Sequence, residues 1–199
     1  RLHSEYSLID GLLRIRPTLD RVAELDMPAV AITDHHNFFG LVKAYKAAES
    51  LGVKLIVGAD LHVLDPHDED RHHELCLLAQ NETGYRNLML LLSRSYQHGH
   101  YLGRPRVHRA WIQEYAEGVI ALSGGRQGDI GQALLNGREV DARAALHDWQ
   151  ACFPDRFYLE LQVPRWHQFH TAARVIYPRV RALCPPRASL LCGEIPRHG

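Results

Sequence analysis

Short apolar segments alternate with longer segments in which apolar residues recur every three or four positions, throughout the first 162 residues of the chain. The short segments are rich in small and β-branched residues, as buried strands are, and the longer ones are typical of amphipathic helices. We predict strands at residues 29–32, 53–57, 74–79, 118–122 and 156–161, and helices at residues 17–26, 39–51, 85–96, 109–117, 130–135 and 139–152. This alternation predicts an α/β protein, either a barrel or an open parallel sheet.

Polar segments interrupt the pattern at residues 65–73 and 97–105, which we predict to be exposed loops. We expect residues 1–162 to form the domain core, because proline and arginine become frequent and the periodic pattern fades from residue 163 onward. Residues 163–199 form a divergent segment, which is either the irregular end of the same domain or a truncated or frame-shifted end. Within it we expect a helix near residues 166–175 and a strand near residues 188–192. The chain begins in the middle of a pattern, so we expect the true start to lie upstream.

Composition narrows the class of protein. The 199 residues suffice for one domain with a sizeable core, and 23 Lys and Arg residues balance 23 Asp and Glu residues. Because the charges balance, the chain has no overall positive charge that would indicate nucleic-acid binding. No apolar run approaches the roughly 20 residues of a membrane span. The four cysteines match no zinc-binding spacing, so we expect free thiols in a cytoplasmic protein.

Histidine and carboxylate side chains follow the predicted strands. The strand at 29–32 runs directly into Thr33, Asp34, His35, His36 and Asn37. The carboxyl ends of parallel strands are where α/β proteins carry their chemistry, and imidazole with carboxylate suits Zn²⁺, Mn²⁺ or Fe. Metal ions held in this way activate water and bind phosphate oxygens. The candidate metal ligands are His3, Asp10, Asp34, His35, His36, Asp60 and His73.

Six segments resemble a known family. They are residues 2–11, which read LHSEYSLIDG, 31–35, which read AITDH, 57–60, which read VGAD, 81–88, 121–125 and 153–161. Together they are similar to the polymerase-and-histidinol-phosphatase (PHP) domain, in the form found at the N-terminus of bacterial DNA polymerase III alpha subunits. The resemblance implies a distorted (β/α)7 barrel with metal ions at its C-terminal mouth. An incomplete barrel at the C-terminal end is an alternative.

Carried over by position, the resemblance places His3, Asp10 and His35 on metal-ligand positions, and these three are also the candidate catalytic residues. Asp60 falls where active members usually carry Glu. Three departures remove ligands, namely Arg1 in place of a histidine, Glu74 in place of a histidine, and Gly125 in place of a cysteine or histidine. The implied cofactors are therefore Zn²⁺, Mn²⁺ or Mg²⁺, or none because ligands are missing.

Two functions remain open. In the first, the chain is a metal-depleted PHP domain of a replicative polymerase alpha subunit. Its partners are then the rest of that subunit and the proofreading exonuclease subunit epsilon, with DNA contacted only indirectly and no membrane. In the second, it is an active metal-dependent phosphoesterase or 3′–5′ exonuclease that uses His3, Asp10, His35 and Asp60. The resemblance gives this chain no polymerase activity, because the polymerase carboxylates of that family lie far downstream.

Overall fold

The structure is a computed structural model that describes residues 2–7, 11–65, 68–161 and 190–192. The chain divides into two compact units. The first unit holds the described residues up to His72 together with Cys76–Ile120, and the second holds His73–Leu75 and the described residues from Ala121 onward. Among the described residues, no helix has both the length and the apolar character needed to cross a bilayer.

The helices and strands of the described residues follow the predicted alternation with two exceptions. After a short 3-10 turn at Glu5–Ser7 come α1 (Ile15–Glu24), β1 (Ala29–Ile32), α2 (Leu41–Leu51), β2 (Lys54–Asp65), β3 (Asp68–Ala79), α3 (Glu82–His98), β4 (His100–Tyr101), β5 (Arg104–Pro105) and α4 (Arg109–Glu114). They continue with β6 (Val119–Leu122), a 3-10 turn at Gly125–Gln127, α5 (Asp129–Leu135), α6 (Glu139–Cys152), β7 (Phe157–Leu161) and β8 (Leu190–Cys192).

The first unit is built on parallel pairing around β1. β1 pairs with β2 in parallel, with Ala29 opposite Lys54 and Ile32 opposite Val57. On the other side of β1, the Leu2 amide donates to the Ala31 carbonyl at 3.0 Å, and the Leu2 carbonyl accepts from the Thr33 amide at 2.9 Å. The N-terminal segment therefore extends the sheet beside β1 and brings His3 and Ser4 to the end of that strand.

Helices α1 and α2 cover this sheet with an apolar stripe. Ile15, Leu19 and Val22 lie at helical spacing on α1 and are almost fully buried, and Ala44 and Ala48 of α2 pack in the same core. The small alanine side chains let α2 approach its neighbours closely. Gly52 ends α2 with a φ of 68°, the left-handed conformation that glycine adopts without a steric cost.

The second unit has a parallel arrangement of its own. β6 pairs with β7, with Ala121 opposite Phe157, and β7 pairs with β8, with Leu159 opposite Leu190. The indole of Trp149 on α6 is buried and donates to the Asp129 carboxylate at 2.8 Å, at the start of α5. This bond joins the two helices of the unit.

Two predicted loops are wrong. Residues 65–73 were expected to be an exposed loop, but β3 begins at Asp68 and lies beside β2. The two strands are neighbours in the sheet and follow each other closely in the chain. Residues 97–105 contain the small antiparallel hairpin of β4 and β5. In both places the backbone pairs while polar side chains remain exposed, so hydrophobic pattern alone cannot detect the strand.

The remaining expectations fall partly outside the described residues. The helix expected near residues 166–175 lies outside them, whereas β8 at Leu190–Cys192 lies within the strand expected near residues 188–192. Of the cysteines, Cys76 is buried and Cys152 is half-buried.

Candidate functional site

Asp34, directly after β1, anchors the N-terminal segment. Its carboxylate is buried, and it accepts hydrogen bonds from the Ser4 amide and the Ser4 hydroxyl at 2.6 Å each and from the Ser7 hydroxyl at 2.9 Å. The Ser7 hydroxyl in turn accepts from the His35 amide at 3.2 Å. Both carboxylate oxygens are thus engaged in positioning the segment, so the structure places this predicted metal ligand in a positioning role.

The pairing of the two segments continues in register beyond the end of β1, while β2 itself runs on to Asp65. His35 and Asp60 form an isolated parallel bridge, in which the His36 amide donates to the Asp60 carbonyl at 3.0 Å. The Asp60 amide donates to the Asp34 carbonyl at 3.3 Å. This register fixes where the polar side chains after β1 lie relative to Asp60 within β2.

A direct contact joins His3 to Asp60. The His3 Nε2 lies 2.5 Å from Asp60 Oδ2, and the Asp60 side chain is fully buried while that of His3 is 24% exposed. A hydrogen bond to a carboxylate is strong in such a setting, because little water competes for it. His3 and Asp60, both predicted metal ligands, are therefore bonded to each other.

Five imidazole rings in the first unit lie next to one another in space. We call these rings, of His3, His35, His36, His62 and His72, the histidine row. The distances between ring centroids are 4.4 Å for His3 and His35, 5.5 Å for His35 and His62, 5.0 Å for His36 and His62, and 4.4 Å for His62 and His72. His62 and His72 were missed by sequence reasoning. A usable signal was present for His62, because it follows Asp60 by two positions on β2 and alternate side chains of a strand share a face.

His36 is the most buried member of the row, with 2% of its surface exposed. Its Nε2 accepts a hydrogen bond from the His62 amide at 2.6 Å. Burial first, and then the nearby imidazoles of His62, His35 and His72, hold the pKa of His36 well below its usual value. The ring is therefore neutral at pH 7 and, since Nε2 supplies the lone pair, it carries its proton on Nδ1. A ring in this state has no second lone pair for a metal ion.

His62 is also held neutral. Burial is the largest cause that lowers its pKa to about 4, followed by the charges that His72, His35 and Arg104 can carry. The Nδ1 atoms of His62 and His36 are both buried and have no hydrogen-bond partner among the described residues. Two adjacent rings thus offer polar nitrogens that the described part of the chain does not use.

The structure brings together His3, Asp34, His35, His36 and Asp60 of the predicted set. Asp10 and Arg1 lie outside the described residues. His73 is half-buried and belongs to the second unit, as do Glu74 and Gly125, whereas its neighbour His72 joins the histidine row. Gly125 has a φ of 57°, a conformation in which the side chain expected from the family pattern would be strained.

As arranged, the described residues do not fit a metal centre. Within residues 2–7, 11–65, 68–161 and 190–192, no three His, Cys, Asp or Glu side chains are placed to hold one ion. The hydrogen bonds give the physical reason, because Asp34 is engaged by serines, Asp60 by His3, and the lone pair of His36 by a backbone amide.

Comparison with known proteins gives consistent matches. Residues 1–164 match the PHP domain family. The chain is 48% identical over 162 residues to the DNA polymerase III subunit alpha of Pseudomonas aeruginosa and 47% identical over 161 residues to that of Escherichia coli K12. Each match covers 81% of this chain but 14% of the relative, so the chain spans about one-seventh of the length of these relatives.

A solved structure supports the fold. A putative metal-dependent phosphoesterase from Bifidobacterium adolescentis superposes with a TM-score of 0.52 at 12% identity, over 91% of this chain and 82% of that one. At this identity the likeness concerns the fold alone. With the matches above, it confirms the predicted mixed α/β fold of PHP type.

Proposed function

This chain belongs to the PHP domain family, and we propose that it is the metal-depleted PHP region of a bacterial replicative DNA polymerase III alpha subunit. Its role there is structural, and it offers a docking surface to the proofreading exonuclease subunit. The observation that carries the assignment is the identity of 44–48% with alpha subunits, maintained over 161 or 162 residues. Polymerase activity and DNA binding belong to the proposal for the whole subunit, since the match spans 14% of the relatives.

The hydrogen bonds of the site support the metal-depleted state. A metal centre that hydrolyses phosphoesters needs carboxylates and imidazoles with lone pairs directed at the ions. Here the Asp60 carboxylate meets His3 at 2.5 Å, and Asp34 accepts three hydrogen bonds from Ser4 and Ser7. An ion bound to Asp60 Oδ2 would displace His3, and an ion bound to Asp34 would displace its serine donors.

The outer face of α2 supports a docking role. Val42 is 66% exposed and Tyr45 58%, and their spacing of three places them on one side of the helix. Phe39, which is 66% exposed, lies in the turn just before the helix. Exposed aromatic and β-branched side chains in a row are the kind of surface that protein partners cover. We assign this face to the exonuclease subunit.

Elemental analysis of the purified full chain tests the metal-depleted state. The chain, purified without chelator, should contain less than one equivalent of zinc, manganese or iron. Two or more tightly bound ions per chain, with nucleotide release from single-stranded DNA that His35→Ala abolishes, would show instead an active phosphoesterase.

Co-precipitation with the exonuclease subunit tests the docking role. Val42→Lys should weaken retention of that subunit by about tenfold or more, because it places a charge at the centre of the apolar face. Val140→Lys is the matched control, since Val140 is a similarly exposed valine, 80% accessible, at the start of α6. Equal retention by both variants would exclude the α2 face, and no retention by the unaltered chain would exclude the docking role.

A further inference from the structure

The turn of the β4–β5 hairpin carries an exposed leucine in a costly backbone conformation. Leu102 is 85% exposed, and its φ of 47° lies in the left-handed region. That region is unfavourable for bulky side chains, whereas asparagine and glycine adopt it readily. Gly103, the next residue, has a φ of 80° and is the glycine that such a turn prefers. Leu102 therefore adds strain to the fold and, at this exposure, gains little packing in return.

The base of the hairpin is tied to β2. Val107 is fully buried, its amide donates to the His62 carbonyl at 2.9 Å, and its carbonyl accepts from the Leu64 amide at 3.0 Å. Nearer the turn, the Arg106 amide donates to the Gly99 carbonyl at 3.0 Å. The strained residue thus stands on a firmly paired base, and strain that is maintained in this way is typical of functional positions.

The side chains around the turn form a surface that is both apolar and basic. Tyr101 is 44% exposed, and the Arg106 guanidinium lies 4.1 Å from the centroid of its ring. Arg104 is exposed, and residues 98–109 include no Asp or Glu. Tyrosine and arginine are the residue types that contribute most to the centres of protein–protein interfaces.

Acidic neighbours on β3 favour a protein over a nucleic acid as the occupant of this surface. The Tyr101 hydroxyl donates to the Asp70 carboxylate at 3.2 Å, and Asp68, two residues earlier, is also exposed. These carboxylates would repel the phosphates of a nucleic acid. A protein surface can instead present a donor to Asp70 and a carboxylate to Arg104.

We propose that the hairpin tip, formed by Tyr101, Leu102 and Arg104, packs against the remainder of the polymerase subunit. Leu102 would enter an apolar pocket there, and Arg104 would meet a carboxylate at the rim of that pocket. The inference rests on the proposed function, and length supports this occupant, because the match covers 14% of each alpha subunit and leaves about six-sevenths of it outside. Burial of Leu102 in the contact would offset the strain that it adds to this region alone.

Hydrogen exchange of residues 98–106 tests the contact. The amides of the hairpin tip should exchange at least about tenfold more slowly in the complete alpha subunit carrying this sequence than in the 199-residue chain, without exonuclease subunit or DNA. Within the complete subunit, Leu102→Asn and Arg104→Glu should each restore fast exchange. Val140→Asn and Arg143→Glu are the matched controls, since both residues are exposed on α6, and they should leave the exchange slow.

The stability of the Leu102→Asn variant separates a lost contact from misfolding. In the 199-residue chain this substitution relieves the strain at the turn and should raise the thermal unfolding midpoint by about 2–4 °C. In the complete subunit the same substitution should accelerate exchange at the hairpin tip. A midpoint that stays the same or falls in the 199-residue chain would contradict the strain on which the proposal depends.

Three results of the exchange measurement would overturn the contact. The first is equal exchange at the hairpin tip in the two proteins. The second is protection that appears only when the exonuclease subunit or single-stranded DNA is added, which would assign the tip to that partner. The third is protection in the 199-residue chain that increases with its concentration, which would indicate a second copy.

Failure of the proposed function is a separate result. A chain purified with two or more tightly bound metal ions contradicts the metal-depleted state, and loss of exonuclease-subunit retention contradicts the docking role. Neither result alters the comparison of hydrogen exchange between the two proteins.

Discussion

At the residue scale, the site is defined by which atom each polar group contacts. Sequence reasoning located Asp34, His35 and His36 correctly after the end of β1, because an apolar run that stops abruptly in polar residues marks such an end. It was wrong for Asp60, which was expected after a strand at 53–57 but lies inside β2, since β2 continues to Asp65. It could not show that the Asp34 carboxylate accepts hydrogen bonds from Ser4, because an aspartate that binds a metal ion and one that holds a chain segment look the same in a sequence. That distinction depends on hydrogen bonds between residues 30 positions apart in the chain.

Asp34→Ala should destabilise the chain by about 2 kcal/mol or more, because it removes three hydrogen bonds to a buried carboxylate. Urea denaturation followed by circular dichroism measures the difference. Asp20→Ala is the control, since Asp20 forms an exposed ion pair with Arg16 and should cost less than about 1 kcal/mol. Equal losses in the two variants would contradict the anchoring role of Asp34.

Replacing His3 tests the value of its contact with Asp60. His3→Leu should destabilise by roughly 3 kcal/mol, because it leaves a buried carboxylate without that donor. His3→Gln, which can still donate a hydrogen bond, should recover part of this loss. If the two variants unfold at the same urea concentration, the hydrogen bond contributes nothing to stability.

At the element scale, helices were easier to predict than polar strands. α6 was expected at residues 139–152 and forms there, since its pattern repeats at helical spacing. The first half of β3, up to residue 73, was wrongly predicted as a loop, because its residues are mostly polar and join the sheet through backbone pairing with β2. The amphipathic part of α3 was predicted from residue 85, and residues 81–84 were left open as a turn or a helix start; the helix begins at Glu82, after the Asn81 cap.

Asn81→Ala should shorten α3 at its N-terminus. The Asn81 side chain accepts from the Gly84 amide at 2.9 Å, and loss of such a cap typically costs about 1 kcal/mol. Hydrogen exchange of the first-turn amides should accelerate in this variant. Asn81→Asp keeps an acceptor at the same position and should leave the exchange unchanged, whereas faster exchange in both variants would exclude capping as the cause.

At the scale of the whole molecule, the stability of the metal-free chain should depend on pH through the histidine row. The pKa of His62 is about 4 in the folded chain and about 6.5 when unfolded, so the unfolded state binds more protons between these values. The contribution of His62 is therefore fully present above pH 6.5 and is lost as the pH falls toward 4. Thermal unfolding across this range measures it.

His62→Gln should flatten this pH dependence, while His147→Gln should not, because His147 is exposed on α6. A slope unchanged by the first substitution would place the pH response elsewhere in the chain.

The fold class followed from the alternation of strands and helices, whereas the histidine row did not follow from any single motif. Its members come from the N-terminal segment, the end of β1, β2 and β3, and only the pairing of those strands brings them together. His72 illustrates the limit, because it stands in a segment that reads as a polar loop. Sequence patterns identify the strand ends, and the register between strands decides which of the side chains meet.

The bonds that tie residues 2–7 to β1 have a practical consequence for expressing this domain. Leu2 completes one side of β1, and Ser4 and Ser7 hold the turn that follows it. A recombinant version that starts beyond Ser7 would uncover the unpaired side of β1 and leave the Asp34 charge buried without donors. Such a shortened product should collect in inclusion bodies.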